Sequence, residues 1–245
     1  MALQEPVLRS VGLGFGWALG PRYADVRGEL TEILAAATDA ADNWAWDVFD
    51  GDPSILVWNE DRRLHVIVQP RGLDIVSEHP DIDAVVAVAS EVLAGCLDAL
   101  NLKVVTRVSS SAKWTLAAGA AADVEKALED WLLSPRLRTT LGPIGGRPDD
   151  LILSGRFEAD NGVVTMFKTE PVTDEQAVGG GFFISDMEAS EFPPASLLVD
   201  LERQHTDEFD SADGTKRSEG VLQQVLSQGS KLLATVGARD DLPDD

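Results

Sequence analysis

Chemistry in this chain would have to start from few side chains. There are three histidines, His65, His79 and His205, and one cysteine, Cys96. A catalytic histidine needs a positioned partner, and none of the three has one nearby in sequence. His65 falls on the polar side of an alternating run, His79 precedes Pro80, and His205 sits among apolar residues. No His/Cys spacing matches a zinc site. Cys96 lies on an apolar helical stripe, where a thiol is buried and inert. Ser109-Ser110-Ser111 lacks the Gly-x-Ser-x-Gly elbow and reads as strand. Gly12, Gly14 and Gly16 alternate with apolar residues, unlike the Gly-x-Gly-x-x-Gly of a dinucleotide loop. They predict close packing of a helix or backbone over a sheet face. Gly179-Gly180-Gly181 reads as a flexible loop. The acids around Asp47, Asp50 and Asp52, and those from Asp207 to Asp213 with Glu219, do not have the spacing of a calcium loop. No catalytic residue, metal or cofactor is assigned from the sequence.

The tryptophans are the better candidates for contact. Trp17, Trp114 and Trp131 read as core. Trp44, Trp46 and Trp58 cluster in neighbouring strands, and period two puts Trp44 and Trp46 on one face. These three are the candidate pocket or interaction residues, because Trp is enriched where interfaces bind most strongly. Core packing is their plainer reading.

Composition narrows the partners. The 245 residues carry 42 Asp/Glu against 20 Lys/Arg, a formal charge of −22. Binding a polyanion rests on Lys and Arg displacing condensed counterions, so nucleic acid is excluded as a direct partner. An anionic membrane surface is excluded for a similar reason. No apolar run is long enough to cross a bilayer, and the first residues do not read as a signal peptide. A single cysteine rules out an intrachain disulfide framework and suits a reducing compartment, so a cytoplasmic location is expected. The acid is evenly spread. Residues 1–102 hold 17 acidic and 6 basic side chains, and residues 103–245 hold 25 and 14, a net of −11 in each part.

The elements that would position these residues occur twice. Trp17-Ala18-Leu19 is followed by Ala24-Asp25-Val26, Leu30 and Ile33-Leu34. Trp114-Thr115-Leu116 is followed by Ala122-Asp123-Val124, Leu128 and Trp131-Leu132. In each copy an extended apolar run leads into an amphipathic helix whose apolar residues recur at i, i+4, i+7 and i+8. Trp44 to Phe49, Ile55 to Asn59, Arg63 to Gln69 and Leu73 to Val76 then predict strands, and Asp81 to Leu100 a helix. In the second part, Leu151 to Glu158 and Val163 to Lys168 flank Asp160-Asn161-Gly162, a strong hairpin signal. Phe182 to Met187 predicts a strand. Pro193-Pro194 predicts the start of a helix carrying Leu197, Leu198, Leu201, His205 and Phe209. After a break at Asp213-Gly214, a last helix runs from about Lys216 to Val236.

The expected fold is therefore α+β. Two β-α-β-β-(β)-α units, residues 1–102 and 103–215, form a mostly antiparallel sheet with helices on one face. Residues 216–245 add an extra C-terminal helix and an acidic tail. This topology resembles the duplicated half-repeat of the TATA-binding-protein-like fold. Pro6-Val7-Leu8-Arg9-Ser10-Val11-Gly12-Leu13-Gly14-Phe15, Phe183-Ile184-Ser185-Asp186 and the Leu201, His205, Phe209 series resemble a sporadically distributed, uncharacterised bacterial family of about 250-residue proteins. That resemblance implies no activity and no catalytic residue.

The functional expectation is a soluble, acidic, non-catalytic protein that binds a protein partner, a basic one on charge grounds. The alternative is a small-ligand-binding protein with a pocket between sheet and helices and Trp44, Trp46 and Trp58 near its mouth. A lower alternative is a metal-dependent enzyme using carboxylates.

Overall fold

The computed structural model describes residues 5–20, 22–40, 43–49, 52–117, 124, 152–159 and 162–237. The strands are β1 (Val7–Gly16), β2 (Trp44–Phe49), β3 (Asp52–Asn59), β4 (Leu64–Gln69), β5 (Gly72–Ser77), β6 (Val105–Ala117), β7 (Leu153–Glu158), β8 (Val163–Thr173) and β9 (Ala195–Phe209). Among the described residues the α-helices with a full range are α1 (Arg27–Thr38), α2 (Ile82–Leu100), a short α3 (Asp174–Gly179) and α4 (Ser211–Gly237). The strands form one nine-stranded sheet in the order β2-β3-β4-β5-β1-β6-β9-β8-β7, with antiparallel pairing at every step. The fold is α+β, with β1 and β6 at its centre.

Alternation along the central strands gives the sheet two different faces. Val11, Leu13 and Phe15 of β1 share one apolar core with Leu30 and Leu34 of α1, Val92 and Leu93 of α2, and Leu222 and Val225 of α4. This core runs through both parts of the chain. The α2 helix starts with the Asp81 carboxylate accepting from the Ala84 N–H, which satisfies one orphan donor of the first turn. It ends at Asn101, whose φ of 54° is left-handed, a cap geometry that Asn tolerates. The α4 helix lies against Trp114. A Cβ at Gly229 would stand 2.3 Å from the indole, so glycine permits this approach. Ser110 joins the same contact, its buried hydroxyl donating to the Ser218 carbonyl.

Three expectations are corrected. Residues 195–209 are a strand, not a helix. The i+4 series Leu197, Leu201, His205, Phe209 is also a period-two series, so it fits both structures. Leu197, Val199 and Leu201 join the main core, while Leu198, on the opposite side, joins a smaller cluster with Val172, Ala177, Met187 and Phe192. Burial on both faces gave the run its helical look. Residues 182–187 are irregular, not a strand. Lastly, the C-terminal helix starts at Ser211 and not at about Lys216, and it runs through Asp213-Gly214 without the expected break. Gly214 is buried there, and a Cβ on it would press against Val105 at 3.1 Å.

Ala122-Asp123, Leu128, Trp131 and Leu132 of the second copy lie outside the described residues, as do Asp160-Asn161 and the end at 240–245. Val124 is described, helical and buried.

Candidate functional site

The three candidate tryptophans fall at two places. In the β2–β3 ladder Trp44 pairs with Val57 and Trp46 with Ile55. Val57 and Ile55 are buried in the main core, so Trp44 and Trp46 extend that core to the rim of the sheet. There they emerge, with relative exposures of 45% for Trp44, 51% for Trp46 and 65% for Val48. The two indoles lie 5.6 Å apart. Trp46 is seated on α1, where its Nε1 donates to Thr31 Oγ1 at 3.2 Å and the Arg27 guanidinium stacks 4.9 Å over its ring. Strand β2 ends the sheet order, so one of its edges has no strand neighbour among the described residues. The Val48 N–H is taken by the Asp47 carboxylate at 2.7 Å.

Trp58 is on the opposite face, paired across the ladder with His65. The two line a cavity of about 570 Å³ together with Arg63, Ile184 and Ser185. The last two residues belong to a strap, residues 180–192, that crosses this face from α3 to β9. The strap accounts for His65. Its strand was expected to bury one face only, yet His65 is 5% exposed because strap residues lie over it.

Polar contacts hold the strap. Glu78, just past β5, accepts the backbone N–H groups of Ile184 and Ser185. The Ser185 hydroxyl lies 2.8 Å from His65 Nε2. Arg63 grips Glu191 through both carboxylate oxygens, a bidentate fit of planar groups. Lys113 donates to the Phe182 carbonyl at 2.6 Å. Arg9 covers the Phe192 ring at 5.0 Å. Burial alone would raise the Glu78 pKa, but the His65 ring beside it and hydrogen bonds from Ser185 and Ile184 outweigh it and hold the carboxyl below its usual value. Hydrogen bonding to Arg63 likewise lowers Glu191.

Ser185, His65 and Glu78 are the residue types of a nucleophile relay, but their geometry is not that of one. A relay needs the serine on one ring nitrogen and the carboxylate on the other. Here both approach Nε2, Glu78 Oε2 at 3.6 Å, and the buried Nδ1 has no hydrogen-bond partner among the described residues. The cluster clasps the strap. Among the described residues no three His, Cys, Asp or Glu side chains converge where a metal ion could be held. Cys96 is fully buried, and burial pushes its thiol up to about 12, so it is no nucleophile at neutral pH. His205 is on β9, not a helix, and its pKa is lowered by burial and by Arg217, 3.1 Å away.

A polar trough lies beside the clasp. Gly12 and Gly14 face Ser111 and Ser109 across the β1–β6 ladder. A Cβ at Gly12 would stand 2.7 Å from Ser111 Oγ, and one at Gly14 2.4 Å from Ser109 Oγ and 2.7 Å from Asp74 Oδ1. The glycines thus admit neighbouring polar side chains, not the helix or backbone expected from their spacing. Sequence reading missed Glu78, Ser109, Ser111 and Lys113 as parts of a site. Its nearest signals were the polar face of β4 and the glycine run before the strap. No known protein family, curated protein or solved structure matches the chain.

Proposed function

We propose that this is a non-catalytic binding protein that takes up an extended, basic segment of a partner protein along β2. The observation that carries this reading is the row Trp44, Trp46 and Val48, exposed on a strand that ends the sheet. An apolar strand edge is a template for another strand, and proteins that do not use such an edge blunt it with charge, proline or a bulge. Here a single charged residue, Asp47, stands among paired tryptophans, and aromatic residues dominate interface energetics. Charge selects the partner. A second copy would bring another −22 to the contact, whereas a Lys/Arg-rich segment meets carboxylates such as the exposed Asp47 and Asp52.

The platform is read as a duplicated unit, with the long helices α1, α2 and α4 on one face of the sheet. This reading is supported by the sequence repeat and by a strand order in which β1 and β6, the first strand of each part, are central neighbours. A small-ligand pocket between sheet and helices has less support, since that layer is filled by side chains such as Leu30, Val92 and Leu93, each 0% exposed.

Val48→Pro tests the reading. The Val48 N–H bonds the Asp47 carboxylate, so proline there spares the β3 ladder while its ring stands in the way of an incoming strand. The expected result is a partner captured by the wild-type protein at low salt, lost with Val48→Pro and with Trp44→Ser/Trp46→Ser, and released as salt rises. Capture that survives all three changes refutes it.

A further inference from the structure

A second cavity, of about 270 Å³, lies between the central strands and the strap, lined by Asp74, Ser109, Ser111, Lys113, Phe183 and Glu202 among others. The geometry points to a binding site here for a small, neutral, polyhydroxylated molecule such as a sugar or polyol. This inference is independent of the β2 edge, which lies on the rim of the opposite face.

The lining chooses the ligand class. It mixes donors and acceptors within one small space. Lys113 is a donor only, the carboxylates of Asp74 and Glu202 are acceptors only, and the serine hydroxyls are both. Ser109 is 7% exposed, and it and Ser111 both line the cavity. An apolar guest would leave those hydroxyls unpaired, at a cost. An anion would face Asp74, Glu78 and Glu202 against one ammonium. A cation would meet that ammonium, already resting on the Phe182 carbonyl and 5.8 Å from the Phe183 ring. A molecule whose every hydroxyl both gives and accepts meets all of these groups. The Phe183 ring supplies an apolar wall for its C–H face. Gly12 and Gly14 keep the floor open, since a side chain on either would collide with the serine hydroxyls.

The test is ligand-observed NMR with glycerol, D-ribose, D-glucose and myo-inositol at millimolar concentration, with spermidine and inorganic phosphate alongside. The proposal expects saturation transfer to at least one polyol. It expects binding about tenfold weaker in Ser109→Ala/Ser111→Ala, the loss of roughly two hydrogen bonds. That double variant removes two oxygens and no packing, and its melting temperature without ligand checks the fold. Gly14→Val, which fills the trough, should abolish the signal. Failure of all four polyols to bind would overturn the proposal. So would binding that the serine variant does not change, or binding of spermidine or phosphate alone.

Discussion

Tyr23, the only tyrosine in the chain, ties α1 to the sheet. Its hydroxyl lies 3.0 Å from the carbonyl oxygens of both Pro53 and Val68. Burial is the larger influence on it and, against the pull of Arg27, pushes its pKa up to about 12 from 10.0. The neutral form is thus favoured by folding. Its stabilisation is whole below pH 10, the unfolded value, and is lost as pH rises through about 12. Tyrosinate absorbance should therefore show one transition near 12 in the native protein, moving to about 10 in denaturant. Tyr23→Phe should cost about 1–3 kcal/mol by removing the one buried hydroxyl proton that these carbonyls share. Cys96 should resist thiol reagents in the native state and react fully on unfolding, because only a thiolate attacks and burial suppresses it. This inertness was legible in the sequence, since Cys96 sat on the apolar stripe of a long helix. The contact of His65 with Ser185 was not. These residues are 120 positions apart, and no local period connects them.

The strap is the element whose behaviour the clasp governs. Glu78 has a folded pKa below its ordinary 4.5, so its contribution is present above that value and lost as pH falls through the lower, folded one. Acidification below pH 4.5 should release the strap before the sheet unfolds. Glu78→Gln should mimic this at neutral pH, lowering stability by about 1–3 kcal/mol, the range for leaving buried hydrogen-bonding groups unpaired. Limited proteolysis reads it directly: cleavage within 180–192 should rise in the variant while the rest of the chain stays protected. Unchanged cleavage would show that Arg63–Glu191 and the Phe192 cluster hold the strap alone. Element identity was readable where one face met water. Strand β2 alternates, and α2 carries an unbroken stripe. It failed at β9, where the strap covers the second face and the alternation disappears into a continuous apolar run. The strap itself was read as a strand because Phe182, Phe183 and Ile184 are strand-forming types. Their partner is the sheet's face and not its edge, and composition does not distinguish the two.

At the scale of the molecule, the sheet has two ends that differ. Strand β2 offers Trp44, Trp46 and Val48, while β7 exposes Phe157 with Arg156 and Glu158 paired beside it at 3.3 Å. That ion pair blunts the β7 edge, as charge on an edge strand does. The formal charge of −22 shaped the expectation of a basic partner, and the proposal seats that partner on β2. The same charge opposes self-association along β2. The most direct measurement is quantitative affinity capture from a low-salt extract, comparing wild-type bait with Val48→Pro, with light scattering of the bait alone to fix its oligomeric state. The account predicts a monomeric bait and a basic protein enriched on the wild type, absent from Val48→Pro, and released by raised salt. A bait that dimerises through β2, or the same proteins recovered equally on both baits, would contradict it.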